Sequence, residues 1–167
     1  MIDNIWFCEP NDARESWCFF TMKLKEIDGH QCVTGWEVTY ANPTRVTYKT
    51  KNTPSTEEIL LRQILFHISM CKKKEALFIT YERKIIPLLR SRLLCHGMCN
   101  ISLRSLKILS VQQLLEDFFY FGPTNSILST YDFARELTID ENGLSETELC
   151  LAIFRRLGPL LPQGVIE

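Results

Sequence analysis

Sulfur and imidazole are the side chains best suited to grip a transition metal or to attack a substrate. Cys95-His96-x-x-Cys99, with Cys71 as a further thiol, offers soft ligands of the kind zinc prefers. No Cys-x2-Cys pair accompanies them, and the segment reads as a helix end running into a loop. Cysteine acting as a small buried hydrophobe accounts for the pattern better. A cysteine–histidine nucleophile is no better specified. His30 falls in a turn, His67 on a helix and His96 in a loop, and no acid partner can be assigned to them.

A strand-to-helix junction carries more. Ala76–Leu94 reads ALFITYERKIIPLLRSRLL, in which a short buried strand, Ala76–Thr80, passes through Tyr81-Glu82-Arg83 into an amphipathic helix. Ligands of α/β proteins gather at such junctions, beyond the carboxyl end of a parallel strand. The groups available are Thr80, Tyr81, Glu82, Arg83 and Lys84, without a histidine, a cysteine or a glycine-rich loop. Cations cluster at Lys72, Lys73 and Lys74, at Arg83, Lys84, Arg90 and Arg92, and at Arg104 and Lys107. Gathered on one face they would track phosphates or dock a partner. Scattered, they are solvated surface. Nineteen Lys and Arg against 20 Asp and Glu leave a net charge of −1. That excludes a generally basic nucleic-acid binder and leaves room for a local patch.

The 167 residues, 46% hydrophobic and 23% charged, suit one globular domain with a single substantial core. The expected domain spans 1–167, with 1–16 as an arm on its edge and 159–167 as an irregular tail. The Met1 start and the lack of a long disordered tail suit an N-terminal domain of something longer. Seven scattered cysteines, an odd number, and no visible signal peptide read as reduced thiols in an intracellular protein, nuclear or cytoplasmic. The longest apolar runs are too short to span a bilayer.

The elements that must position these groups follow from periodicity. Trp17–Lys25 is an aromatic-rich strand, Asp28-Gly29 a hairpin turn, and Gln31–Tyr40 the antiparallel partner. Arg45–Lys49 follows the Asn42-Pro43 turn as a third strand. Ser55 and Glu58 have capping-box spacing at the start of a helix whose apolar residues run from Ile59 to Cys71. The helix after the central strand covers about Ile85 to Cys95, with Pro87 in its first turn and Gly97 as its C-cap. Ile101–Leu109 alternates like a strand, and Val111–Phe119 reads as a helix opened by Ser110. Ile127–Leu137 reads as another helix, Asp140–Gly143 as a turn, and Ser145–Leu157 as a last helix with a Ser145/Glu148 capping box. The order β-β-β-α-β-α-β-α-α-α implies an α/β fold, a five-stranded mixed sheet flanked by helices. Aromatic Phe118–Phe121 and apolar Leu160-Leu161-Pro162 are further candidates for a partner surface.

That order is similar to the ribonuclease-H-like fold of the DnaQ-like, or DEDD, 3′–5′ exonucleases. Leu77–Leu89 (LFITYERKIIPLL) resembles the family's strand and helix around its second acidic motif, often LVAHNxxFDxxFL. Ile101 onward resembles its SLxLAR-type strand, Ile127–Leu137 its SLxxLAxxLGI helix, and Ser145–Leu157 its last helix, DAxATxxLFxxL. The resemblance implies four carboxylates that hold two divalent cations about 4 Å apart, with oxygen ligands suited to magnesium or manganese.

Position by position, this chain departs from that set. The Asp-x-Glu of the first strand falls on Thr21 and Lys23, and the second-motif Asp on Ile85. Thr80 and Tyr81 stand where the family tends to have His-Asn. The final His-x4-Asp falls on Glu141 and Glu146, so Glu146 alone keeps a carboxylate at a metal position. Lys23 puts a positive charge where a cation would sit. A shifted alignment would bring in Glu26, Asp28 and Glu82 beside Glu146, although Asp28 fits the hairpin turn and Glu82 a polar loop. The expectation is a catalytically inactive exonuclease-like domain without a cofactor, acting as a protein-interaction or scaffold module in a nucleic-acid-processing complex. Two alternatives stand beside it. One is a non-catalytic RNA- or DNA-binding domain using the Lys72–Lys74 and Arg83–Arg92 surfaces. The other is a magnesium- or manganese-dependent exonuclease with relocated acids.

Overall fold

The computed structural model describes residues 16–98, 101–119, 133–135 and 137–158. Three antiparallel strands open the chain: β1 (Trp17–Ile27), β2 (His30–Ala41) and β3 (Val46–Lys51). Asp28 (φ 51°) and Gly29 (φ 78°) join the first two. Two successive left-handed residues make the type I′ turn whose twist suits a hairpin. After them come α1 (Glu57–Lys73), β4 (Leu77–Thr80), α2 (Ile85–Cys95), the single turn α3 (Ile101–Arg104), β5 (Ile108–Ser110), α4 (Val111–Phe119) and α5 (Glu146–Leu157).

The five strands form one mixed sheet in the order β3-β2-β1-β4-β5. β1 pairs antiparallel with β2 and parallel with β4, from Trp17↔Leu77 to Phe19↔Ile79. β5 then adds parallel to β4. Side chains of β1 alternate between two cores. Cys18, Phe20 and Met22 pack with α1 and α2 residues such as Leu60, Ile64 and Leu89. Phe19 packs with Ile79, Leu115, Leu149 and Phe154 of the opposite layer. The fold is therefore α/β, a five-stranded mixed sheet flanked by helices on both faces. Each fully buried Leu or Phe contributes about 1.5–3 kcal/mol, so these apolar faces, not helix propensity, hold the helices in place.

Two local expectations need correction. Ile101–Leu109 is not one strand. Leu103 and Leu106 are both buried, and their three-residue spacing suits a helical turn, whereas pairing with β4 begins only at Phe78↔Ile108. The cap of α1 is Thr56 rather than Ser55, its side chain accepting from Ile59 N, while Glu58 pairs with Arg62 one turn on. The Ser145/Glu148 capping box of α5 forms as its spacing implies. The 1–15 arm, Cys99, the aromatic run beyond residue 117 as side chains, the 159–167 tail and most of Ile127–Leu137 lie outside the described residues. Residues 133–135 are helical.

One polar device sits inside the first core. The Tyr40 hydroxyl hydrogen-bonds Nδ1 of His67 on α1, and the Trp36 indole N–H donates to Gln63 at 2.9 Å. Burial lowers the His67 pKa to about 4, so the ring is neutral in the folded protein near pH 7. Unfolded, it titrates near 6.5. The unfolded chain therefore binds a proton that the folded one refuses across that interval, and stability falls as pH drops from 6.5 towards 4. The loss is on the order of 3 kcal/mol for a shift of this size. Urea midpoints measured against pH should show this slope in the wild type and a flatter one in His67→Gln. An unchanged slope in the variant would assign it to another group.

Candidate functional site

Of the four positions that the resemblance marks as metal ligands, three meet, and Lys23 does not join them. Thr21 near the middle of β1, Ile85 at the start of α2 and Glu146 at the start of α5 line one crevice, together with Tyr81, Glu82 and Cys150. The crevice lies beyond the carboxyl end of β4, where the parallel pairing with β1 runs out. Its floor is tightly packed: Ile85 and Tyr81 are each 5% exposed and Thr21 is 9% exposed. Its volume is about 10 Å³, roughly the space of one water.

No protein-family model matches the chain, and no curated protein matches it. The site is therefore read from its own residues.

A pair of divalent cations about 4 Å apart needs oxygen donors on several sides. The crevice offers the carboxylates of Glu82 and Glu146, the Thr21 hydroxyl and the aliphatic face of Ile85. Glu82 also lies 3.1 Å from the Lys84 ammonium. Among the described residues, no group of three or more His, Cys, Asp and Glu side chains is arranged to hold a metal ion. The donor set does not fit the two-cation centre that the family would carry. Glu26 and Asp28 do not join it. They sit at the exposed far end of the β1–β2 hairpin, where Glu26 pairs with Gln31 in the register and Asp28 forms the turn. Lys23 is exposed on β1 opposite Gly35. Burial, with the Glu146 carboxylate adding to it, pushes the Cys150 thiol well above its usual value, so no thiolate nucleophile forms there.

The corner does contain an acid that sequence reasoning missed. Glu37 is the cross-strand neighbour of Thr21. Its Oε1 accepts from the Thr147 backbone N–H at 2.9 Å and from the Thr147 hydroxyl at 2.7 Å. Thr39 and Thr147 hydroxyls add a third link at 2.8 Å. A carboxylate beside the first turn satisfies otherwise free amide donors and complements the helix dipole. Glu37 thus fixes α5 across the sheet, beside the crevice. The one available signal was the polar pair Glu37 and Thr39, alternating with Trp36, Val38 and Tyr40.

The junction after β4 is also held closed. Tyr81 O accepts from Gln112 N at 3.0 Å and from the Ser110 hydroxyl at 3.1 Å, while Arg83 N donates to Gln112 Oε1 at 3.1 Å. Gln112 Nε2 is buried and has no partner among the described residues.

The candidate basic surface divides. Lys72 and Lys73 are exposed at the end of α1, and Lys74, half-buried, closes that helix with its N–H to Met70 O. These three precede β4, whereas Arg83 and Lys84 follow it, with the four residues of β4 between them, about 13 Å of extended chain. Arg83 pairs with Glu116 at 2.5 Å, and Lys84 with Glu82. Arg90 is exposed. Arg92 is a structural cation: with side chains only 15% and 13% exposed, Arg92 and Glu57 pair at 2.5 Å, joined by His96 Nε2 at 2.6 Å and the Val33 N–H. Burial works against the Glu57 anion, yet hydrogen bonds from Arg92, His96 and Val33 hold its pKa below the usual value. This node ties the end of α2 to the start of α1.

Among the described residues, the members of the zinc-like set lie in different environments. Cys71 is fully buried in the core that also holds Cys18, Cys95 is exposed, and His96 is engaged by Glu57.

Replacing Glu37 with Ala should lower the urea midpoint by an amount equal to about 1–2 kcal/mol, the cost of orphaning a helix-start donor. Glu37→Gln, which keeps one acceptor oxygen, should recover most of it. A carboxylate held in reserve for a cation would behave oppositely, its removal leaving the midpoint unchanged or raised.

Proposed function

We propose that this chain is a ribonuclease-H-like domain of the DnaQ exonuclease type that does not hold a metal pair and serves as a protein-interaction module in a nucleic-acid-processing complex. The observation that carries the reading is the meeting of Thr21, Ile85 and Glu146 in one crevice. Those positions lie 61 or more residues apart in the chain and were matched to the family's acidic positions from motif alone. Their convergence supports the alignment, and the residues found there support loss of the chemistry. A three-strand antiparallel meander, with two further strands added parallel on the far side of β1, also agrees with the resemblance.

The electrostatics favour a protein partner over a nucleic acid. Of the basic residues in the Arg83–Arg92 stretch, Arg83, Lys84 and Arg92 already face carboxylates. An intracellular setting, nuclear or cytoplasmic, is part of this proposal. It is supported by the free thiols among the described residues, Cys18, Cys32, Cys71, Cys95 and Cys150. No described helix is long and apolar enough to cross a membrane.

The test is a nuclease assay with single-stranded DNA and RNA in magnesium and in manganese. The purified chain should release nucleotides no faster than buffer. Turnover that disappears in Glu146→Ala would overturn the proposal in favour of an active enzyme with relocated acids.

A further inference from the structure

The sheet ends on one side at β3, whose outer edge has no strand partner among the described residues. Grooves flank that edge on both faces. Towards α1, a groove of about 300 Å³ is lined by Trp36, Tyr48, Phe66 and His67. Towards α5, a groove of about 320 Å³ is lined by Lys49, Lys51, Thr147 and Glu148. The alternation of β3 produces this contrast. Tyr48 turns to the α1 face, where it stacks on Tyr40, while Lys49 turns to the α5 face and lies 3.3 Å from Glu148. The aromatic groove is open to solvent: Phe66 is 41% exposed, and Ile59, two turns earlier on the same helix, is 46% exposed.

We propose that β3 is a docking edge for an extended acidic peptide of a partner protein, added as a sixth strand. The inference deepens the proposed function and rests on it only for the existence of a protein partner. Successive side chains of an added strand point to opposite faces, so every second residue would enter the aromatic groove and those between would lie beside the lysines. The favoured peptide alternates apolar with acidic residues. Charge selects that occupant. Lys49 and Lys51 stand on the edge strand itself, next to any added strand, while the carboxylates that line the same groove lie behind them: Glu148 pairs with Lys49, and Glu37, held by Thr147, is the cross-strand neighbour of Lys51 on β2. Two copies joined through β3 would bring lysine against lysine, the device by which edge strands resist self-association. A partner strand carrying carboxylates turns the same lysines into attraction.

The experiment is a titration of the isotope-labelled full chain with a capped seven-residue peptide alternating phenylalanine or valine with glutamate, read by backbone amide shifts. Saturable shifts should concentrate at Val46–Lys51 and at Gln63–His67. Lys51→Glu should weaken binding roughly two- to fivefold, as for one exposed ion pair. Phe66→Ala should weaken it about tenfold, as for a modest hot spot. Both side chains are exposed, so unchanged spectra of the free variants will verify their folding. A peptide with lysine for glutamate, or with a central proline that removes a ladder donor, should not bind. Shifts away from β3, equal binding of the lysine peptide, or the same β3 shifts from a single-stranded oligonucleotide would overturn the proposal, as would no binding at all. The nuclease assay above is independent of this titration, so the two readings can fail separately.

Discussion

The contact between Glu37 and Thr147 organises the corner where β1, α2 and α5 meet. A helix of 12 residues that starts over a sheet needs its first amides satisfied, and it needs a fixed crossing point. Glu37, in β2, provides both, accepting from the backbone N–H and the hydroxyl of Thr147. The Ser145/Glu148 capping box satisfies the Glu148 and Ser145 N–H groups. Once α5 is anchored there, Leu149, Ile153 and Phe154 meet Phe19 and Ile79, and Glu146 is delivered to the crevice beside Thr21.

The same anchoring explains why the corner is closed. A carboxylate one strand away from the expected metal position serves as a helix cap, and Glu82 leans towards Lys84. Ile85 puts hydrocarbon where the resemblance would imply an acid, and the remaining space admits about one water. Cations follow a similar logic. Arg92 and Arg83, which in sequence read as recruits for a phosphate-binding face, hold elements together instead. Lys49, Arg62, Lys84 and Arg135 also face carboxylates. Lys51 on the sheet edge sits beside an exposed aromatic groove.

Much of the framework was legible from the chain. Strong local signals fixed the Asp28-Gly29 hairpin, α2 from Ile85 to Cys95 and the box at Ser145, because each depends on neighbours within four residues. Alternation in Ile101–Leu109 misled, since apolar residues at Leu103 and Leu106 fit either a strand or a helical turn, and β4 offers a partner only from Ile108. That Thr21, Ile85 and Glu146 would lie together was expected only from the resemblance. Thr21, Ile85 and Glu146 could be paired by motif, but Glu37 could not: its partner lies 110 residues away on α5, and nothing local marks a strand glutamate as a helix cap. The Glu57, Arg92 and His96 node escaped for the same reason, because sequence shows charges and not which of them pair.

The central claim is that the corner framed by Thr21, Ile85 and Glu146 is sealed by packing and capping and does not collect a divalent cation. Paramagnetic manganese measures this directly, because a bound ion broadens the amide signals around it. Titration of the isotope-labelled chain should give only weak, non-saturating broadening spread over exposed carboxylates, with Thr21, Glu82 and Glu146 no more affected than Glu26. Saturable broadening centred on Thr21, Glu82 and Glu146 at low manganese concentration would contradict the account.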